Sequence, residues 1–169
     1  MNKLTKSFLV LLSIYGLSSQ SLASDDKMTI PVKRLTLETS LRIAQAAIAQ
    51  CRKEGVQIAV TVVDRSGHAQ VVLRDVLAMD ITLPISKKKA HTAMAFNTPL
   101  SQLQSRFTKP YQVPKIDELV LGAGGIPINV GGSILGGIGV SGAPSGETDE
   151  KCAKAGLEAV LADLEMEGS

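Results

Sequence analysis

Residues 56–74, VQIAVTVVDRSGHAQVVLR, contain two apolar runs on either side of a short polar turn. The first run, Val56–Val63, is rich in β-branched residues and ends at Asp64-Arg-Ser-Gly67, a sequence typical of a tight turn. The second run, Ala69–Arg74, resumes the strand pattern, so we predict a β-hairpin. Because both runs are apolar at nearly every position, we expect both strands to be central and covered on both faces, by helices or by another subunit.

Helical patterns lie on both sides of this hairpin. Before it, residues 36–54 carry apolar side chains at intervals of three and four, with Thr36 as a good N-cap and Gly55 as a stop signal. After it, a helix is predicted over residues 84–96, where the proline is tolerated because its missing N–H falls in the first turn. A further short helix is predicted over residues 99–107.

The second half of the chain supplies more strands and a final helix. We predict a loop over residues 108–116, a short apolar run over 118–122, an edge or irregular strand over 125–129, a turn at Gly131-Gly132 and a strand over 133–141. The last helix is predicted from Glu147 to about Leu164, with Ser145 or Thr148 as its cap. Helices and strands in this order predict an α/β chain of the α+β type.

Three acidic residues, Glu147, Asp149 and Glu150, lie in the first turn of that last helix. Carboxylates are favoured there because they face the positive end of the helix dipole. We therefore expect these three side chains to be solvated and not part of an active site.

The strand over 133–141 is rich in glycine, and Gly137-Ile-Gly-Val-Ser-Gly142 has the spacing of a dinucleotide-binding turn. That motif requires a following strand that offers an acidic residue to a ribose, and only one amphipathic segment follows here. We therefore reject nucleotide binding. The glycines then allow either close contact with a helix or strand, or a flat face for a ligand.

The N-terminal residues 1–23 have the pattern of a secretory signal peptide, with Lys3 and Lys6 before a short apolar run and a small-residue site at Ser21-Leu-Ala23. The apolar run is too short to span a bilayer. We expect cleavage after Ala23, a periplasmic or secreted mature chain without membrane insertion, a flexible leader over residues 24–34 and a single domain over 35–165.

Charge and cysteine content limit the class of partner. Once Lys3 and Lys6 are removed, 16 basic side chains face 16 acidic ones, so electrostatics give no reason to expect a nucleic-acid partner. Cys51 and Cys152 both lie in helical patterns. In an oxidising compartment they are either a disulfide or two small buried apolar groups.

Several short motifs together resemble the GlcG/HbpS family. They are Asp64-Arg-Ser-Gly67, Lys88-Lys-Ala-His91, Gly124-Gly-Ile-Pro127, Gly131-Gly132, Gly139-Val-Ser-Gly142 and Asp149-Glu150. That family includes a haem-binding group and a domain fused to PduO-type corrinoid adenosyltransferases. The resemblance implies a profilin-like antiparallel sheet of about five strands flanked by helices, assembly as a homo-oligomer, and close packing of the glycine-rich strand.

If the ligand is haem, the iron needs His, Met, Cys or Tyr as an axial ligand. His91 is the best candidate, because Lys87 and Lys88 lie one turn away and Met94 follows three residues later. The alternative is a half-buried structural histidine. His68 falls in the predicted hairpin turn, where we expect it to be exposed to solvent.

Arg74 and Lys89 are candidates for binding a carboxylate, either a haem propionate or a small organic acid. The alternative for both is an ion pair, with Asp64 or Asp75 as the partner. No conventional catalytic set is present, although Asp64, Lys89 or His91 remain candidates for an acid or base.

Three candidate functions follow from the resemblance together with these residues. The first is an exported protein that binds, buffers or senses haem or a related tetrapyrrole. The second is an enzyme or accessory factor for a small organic acid, acting at a pocket formed by Arg74, Lys89 and His91. The third is an assembly module without a ligand.

Overall fold

The computed structural model describes residues 27–107 and 116–168. These residues form, in chain order, α1 (Leu37–Lys53), β1 (Ala59–Asp64), β2 (Ala69–Arg74), α2 (Thr82–Phe96), α3 (Leu100–Leu103) with a 3-10 turn (Gln104–Arg106), β3 (Gly125–Val130), β4 (Ser133–Ser141) and α4 (Gly146–Gly168). The predicted order of elements is confirmed, and Thr36 caps α1 by accepting a hydrogen bond from the N–H of Thr39. The predicted loop over 108–116 lies, except for its last residue, outside the described residues.

The sheet is antiparallel with strand order β2-β1-β4-β3, which confirms the α+β class. The described residues form four strands, where about five were expected. Residues 118–122 do not form a strand. Side chains of α2 bond the backbone of this segment, since Lys88 donates to the carbonyl of Asp117 and Thr92 accepts from the N–H of Val120.

The expectation that both hairpin strands are covered on both faces is correct for β1 and wrong for β2. Every residue of β1 is buried, and β4 pairs with its second edge. Strand β2 is an edge strand whose inward Val71 is buried while Val72 is exposed. The apolar sequence of β2 therefore leaves apolar surface exposed on the single chain.

Helices cover the two faces of the sheet unequally. Helices α1 and α4 pack on one face and enclose the main core, and α2 packs on the other face against β4 and β1. Cys51 of α1 and Cys152 of α4 form a disulfide with their Cα atoms 5.5 Å apart, within the range that the bond requires. This pairing decides between the two alternatives left open by the sequence.

The glycine-rich strand β4 packs directly under α2. A Cβ at Gly139 would lie 2.1 Å from the carbonyl oxygen of Ser86, and one at Gly137 would lie 2.4 Å from that of Ala90. No side chain fits in such a space. The glycines thus serve close contact between helix and strand, and the alternative of a flat ligand face at β4 is wrong.

The chain divides into two units, residues 1–31 and 32–169, and the second contains all the elements above. In the first unit, residues 27–31 are exposed and have no regular secondary structure. The predicted signal peptide, residues 1–23, lies outside the described residues. In the part of the chain that the structure describes, none of the helices has both the length and the apolar character needed to cross a bilayer.

Candidate functional site

Both histidines of the chain line one surface cavity of about 370 Å³. The hairpin turn between β1 and β2 forms one wall and α2 forms another. The lining residues are Ser66, Gly67 and His68 from the turn, Pro84, Lys87, Lys88 and His91 from α2, and Glu118. We refer to this space as the histidine cavity.

The four α2 residues of the histidine cavity form a single stripe. Pro84, Lys87, Lys88 and His91 recur at intervals of three or four, so they share one face of the helix. The neighbouring stripe of α2 packs on the glycines of β4. The sequence spacing correctly placed the two lysines beside His91.

Gly67 brings the hairpin turn into contact with His91. Its φ is 84°, and a Cβ built on it would lie 2.5 Å from His91 Nδ1 and 2.9 Å from Cε1. The ring edge with these two atoms therefore faces Gly67. Nε2 is not among the three heavy atoms nearest to that Cβ position.

Met94 lies behind this contact and not in the cavity lining. Its Cε is 3.3 Å from the same Cβ position at Gly67, but the residue is buried and packs with Val63 and Ala90. Met94 therefore supports the wall of the histidine cavity from within the core.

His68 is exposed, as predicted, and lies beside a buried carboxylate. Asp64 Oδ1 accepts hydrogen bonds from the N–H groups of Ser66 at 2.8 Å and His68 at 3.0 Å. Asp64 Oδ2 accepts from Arg34 Nη1 at 3.3 Å. His68 Nδ1 is 3.9 Å from Asp64 Oδ1, within reach of an ion pair when the ring is protonated.

Lys89 lies apart from the histidine cavity, on the stripe of α2 that faces the sheet. Its ammonium is buried, 2.8 Å from Asp149 Oδ2 and 3.0 Å from the carbonyl oxygen of Val140. The ion-pair alternative for Lys89 is thus realised, with a partner that sequence analysis did not propose. Ser86 and Ala93 lie three and four residues from Lys89 and are also buried. This helical spacing is the feature of the sequence that could have predicted the burial of Lys89.

The expectation of solvated acids at the start of α4 is wrong for two of the three residues. Asp149 and Glu150 are each 3% exposed. Burial raises the pKa of the Asp149 carboxyl, against the opposing effect of its hydrogen bond to Lys89. Glu150 accepts hydrogen bonds from the N–H and the hydroxyl of Ser101, so both acids connect α4 to distant parts of the fold.

Arg74 lines a different cavity, of about 310 Å³, at the end of β2 that is remote from the hairpin turn. Arg74 donates to the carbonyl of Ala78 and lies 3.6 Å from Asp80. Asp75, one of its expected partners, instead pairs with Arg52 through Oδ1. Among the described residues, Asp75 Oδ2 is a buried oxygen without a hydrogen-bond donor.

The structure thus separates Arg74, Lys89 and His91 into three different environments, and they do not form a shared pocket. His91 remains with His68, Lys87 and Lys88. In the described residues, no group of three or more His, Cys, Asp or Glu is arranged to hold a bare metal ion. Two imidazoles without further ligands suit a metal that already carries a macrocycle, and the adjacent ammonium groups suit carboxylates.

Known proteins resemble this chain over most of the described domain. The family model described as "Haem degrading protein HbpS-like" matches residues 35–158. A crystal structure of a double mutant of HbpS from Streptomyces reticuli has a TM-score of 0.75 and 36% identity, covering 78% of this chain and 90% of that one.

Two further proteins are similar to this chain, one in structure and one in sequence. The crystal structure of a PduOC:heme complex has a TM-score of 0.69 and 27% identity, covering 75% of this chain and 95% of that one. An uncharacterized 15.0 kDa protein of the dhaT-dhaS intergenic region of Citrobacter freundii is 26% identical over 116 residues, which is 66% of this chain and 82% of that protein.

Proposed function

The chain belongs to the HbpS-like family, and on that basis we propose that it is an exported protein that binds haem in the histidine cavity and so buffers or senses it. The observation that carries the proposal is the convergence of both histidines and two lysines on one cavity. The haem complex of PduOC, a relative of similar fold, supports it.

In this proposal each lining residue has a defined role. His91 would hold the haem iron through Nε2, since the ring edge with Nδ1 and Cε1 faces Gly67. Lys87 and Lys88 offer ammonium groups one turn away for the two propionates. Haem, when bound, would supply the iron and its redox chemistry, and the chain would supply the iron ligand and the opposite charges for the propionates.

The disulfide supports the exported location that we propose. Cys51 and Cys152 are fully buried and joined across two helices. Structural disulfides form and persist in oxidising compartments such as the periplasm. The signal-peptide pattern of residues 1–23 agrees with this location.

We also propose that the protein is a homo-oligomer in which a second copy covers β2 and the segment that follows it. Val76 and Leu77 are 82% and 77% exposed, and Met79, Ile81 and Val72 of the edge strand are exposed as well. An unpaired strand edge next to such a patch is a typical subunit contact. Light scattering after gel filtration is expected to show an oligomer that Leu77→Lys dissociates; a monomeric wild type would contradict this.

The test of haem binding is an absorption titration of the purified protein with hemin, beside a titration with iron-free protoporphyrin. We expect a saturable shift of the Soret band and much weaker binding of the iron-free ring, because ligation by His91 requires iron. Equal binding of both rings would contradict an iron ligand. No saturable binding of either would leave the assembly module as the better account.

A second candidate function is the binding of a small zwitterionic carboxylate in the cavity lined by Arg74. Arg52, Arg74 and Asp75 line this cavity together. A ligand with an ammonium group and a carboxylate would match both charges. Amino acids are then expected to raise the melting temperature of wild type but not of Arg74→Ala, since a ligand that binds only the native state stabilises it.

A further inference from the structure

A third cavity, of about 310 Å³, shares no described lining residue with the histidine cavity or with the cavity lined by Arg74. The segment that enters α1, the β3–β4 hairpin and the last turns of α4 form its walls. We refer to it as the Lys33 cavity, and its lining includes Lys33, Arg34 and Leu35 before α1, Val130 and Leu135 of the hairpin, and Leu164 and Glu167 of α4.

The inner wall of the Lys33 cavity is apolar. Leu35, Val130 and Leu135 are buried and belong to the main core, and Leu164 of α4 packs against that core. The cavity is therefore an opening from the surface onto core side chains. Hydrocarbon placed there leaves water and contacts these side chains, which favours a ligand with an apolar body.

The rim of the Lys33 cavity carries two basic side chains. Lys33 and Arg34 are both exposed residues, and Arg34 Nη1 donates to Asp64 Oδ2 at 3.3 Å. The guanidinium is a planar fork with several N–H donors, so the bond to Asp64 leaves other donors for a ligand. Glu167 is the one acidic residue of the described lining, so the net charge of that lining is positive.

From this combination we propose that the Lys33 cavity binds a small monocarboxylate with an apolar body, such as a medium-chain fatty acid. The carboxylate accepts hydrogen bonds from Lys33 and Arg34, and the hydrocarbon lies on the apolar wall that includes Leu135. This site is independent of haem binding, and it gives the protein a second class of ligand.

Size and charge argue against other ligands. The volume of about 310 Å³ is at the lower end of the range for small-molecule sites, about 300–1,000 Å³, so the cavity suits a small molecule better than a protein segment. A phosphate has no apolar body, and the apolar wall would remove part of its hydration without replacing it. An apolar amine would meet two like charges, on Lys33 and Arg34, and one opposite charge, on Glu167.

The test is isothermal titration calorimetry of the purified protein at low ionic strength with octanoate and with 4-phenylbutyrate. Acetate is the control for a carboxylate without an apolar body, and octylamine is the control for an apolar body with the opposite charge. We expect saturable binding of at least one of the two apolar acids, and no binding of acetate or octylamine. Added salt should weaken the binding, because the two basic side chains are exposed.

Charge variants test the rim of the Lys33 cavity. Lys33→Glu is expected to raise the Kd for the bound acid by about fivefold or more, because repulsion replaces attraction at the carboxylate. Lys33→Arg keeps the charge and should keep most of the affinity. The matched control is Lys53→Glu, which makes the same charge change at an exposed residue, the last of α1, that lines none of the three cavities.

Two further variants locate the bound acid, because His91→Ala and Arg74→Ala each change a different cavity. Wild-type affinity in both variants supports the Lys33 cavity. Loss of affinity in either one, or an equal loss in Lys33→Glu and Lys53→Glu, would overturn the proposal. It would also be overturned if neither apolar acid binds saturably, or if octylamine binds as tightly as octanoate. None of these titrations contains hemin, so their outcome is separate from that of the haem proposal.

Discussion

The ring of His91 lies directly against Gly67, so close that a Cβ on Gly67 would be 2.5 Å from Nδ1. This contact joins the hairpin turn to α2 and forms the floor of the histidine cavity. A glycine is required there for two reasons. The ring of His91 leaves no space for a Cβ, and the φ of 84° is unfavourable for other residues.

Gly67→Ala is therefore expected to displace His91 and to weaken haem binding. The matched control is Gly55→Ala, because Gly55 has a similar φ of 75° with nothing within 4 Å of its Cβ position. Both substitutions should cost about 1–2 kcal/mol of backbone strain in urea unfolding. Only Gly67→Ala should also raise the Kd for hemin, and an unchanged Kd would show that the position of His91 does not matter.

Reduction of the disulfide is expected to destabilise the fold strongly. Cys51 and Cys152 are 101 residues apart, and a crosslink that closes a loop of this order contributes about 4–5 kcal/mol in the chain-entropy model. Urea unfolding with and without a reductant measures the difference. The double variant Cys51→Ala and Cys152→Ala should be insensitive to the reductant, and a reductant effect in that variant would assign the loss to another cause.

Lys89→Met is expected to be costly, because it leaves the buried carboxylate of Asp149 without its counter-charge. Breaking a buried ion pair from one side costs about 3–5 kcal/mol. The matched control is Arg42→Met, which breaks the exposed pair between Arg42 and Asp163 and should cost less than about 1 kcal/mol. Equal costs in urea unfolding would contradict the structural role of Lys89.

The same carboxyl gives an expectation for pH. Burial raises the pKa of Asp149 above its ordinary value, so the folded state binds the proton more tightly than the unfolded chain does. Stability from this group is then gained as the pH falls through the folded pKa toward the ordinary value of about 4, and it is absent at higher pH. The free energy of unfolding of wild type minus that of Asp149→Asn should therefore rise as the pH falls from neutral toward that value. A fall in this quantity would contradict the raised pKa.

The sequence predicts local structure well because the signals for it are local. The turn Asp64-Arg-Ser-Gly67 and the cap at Thr36 each specify their own geometry, and the structure contains both. The spacing of Lys87, Lys88 and His91 likewise placed these side chains on one helix face.

The errors concern contacts between distant segments. Asp149 is paired with Lys89, which is 60 residues away. The local sequence at the start of a helix therefore does not show whether an acidic side chain is buried or solvated. The exposure of Val72 depends on which strand lies at the edge of the sheet. Nothing in the local sequence of His68 shows that its turn folds onto α2 beside His91.

The central claim is that the histidine cavity binds haem, and the most direct test compares the hemin Kd of wild type, His91→Ala and Arg74→Ala by absorption titration. Arg74→Ala is the control, because Arg74 lines the other cavity. We expect saturable binding by wild type and Arg74→Ala, and a loss of at least tenfold in affinity, about 1.4 kcal/mol, in His91→Ala. Unchanged affinity in His91→Ala would contradict the site, and loss in Arg74→Ala alone would move the ligand to the other cavity.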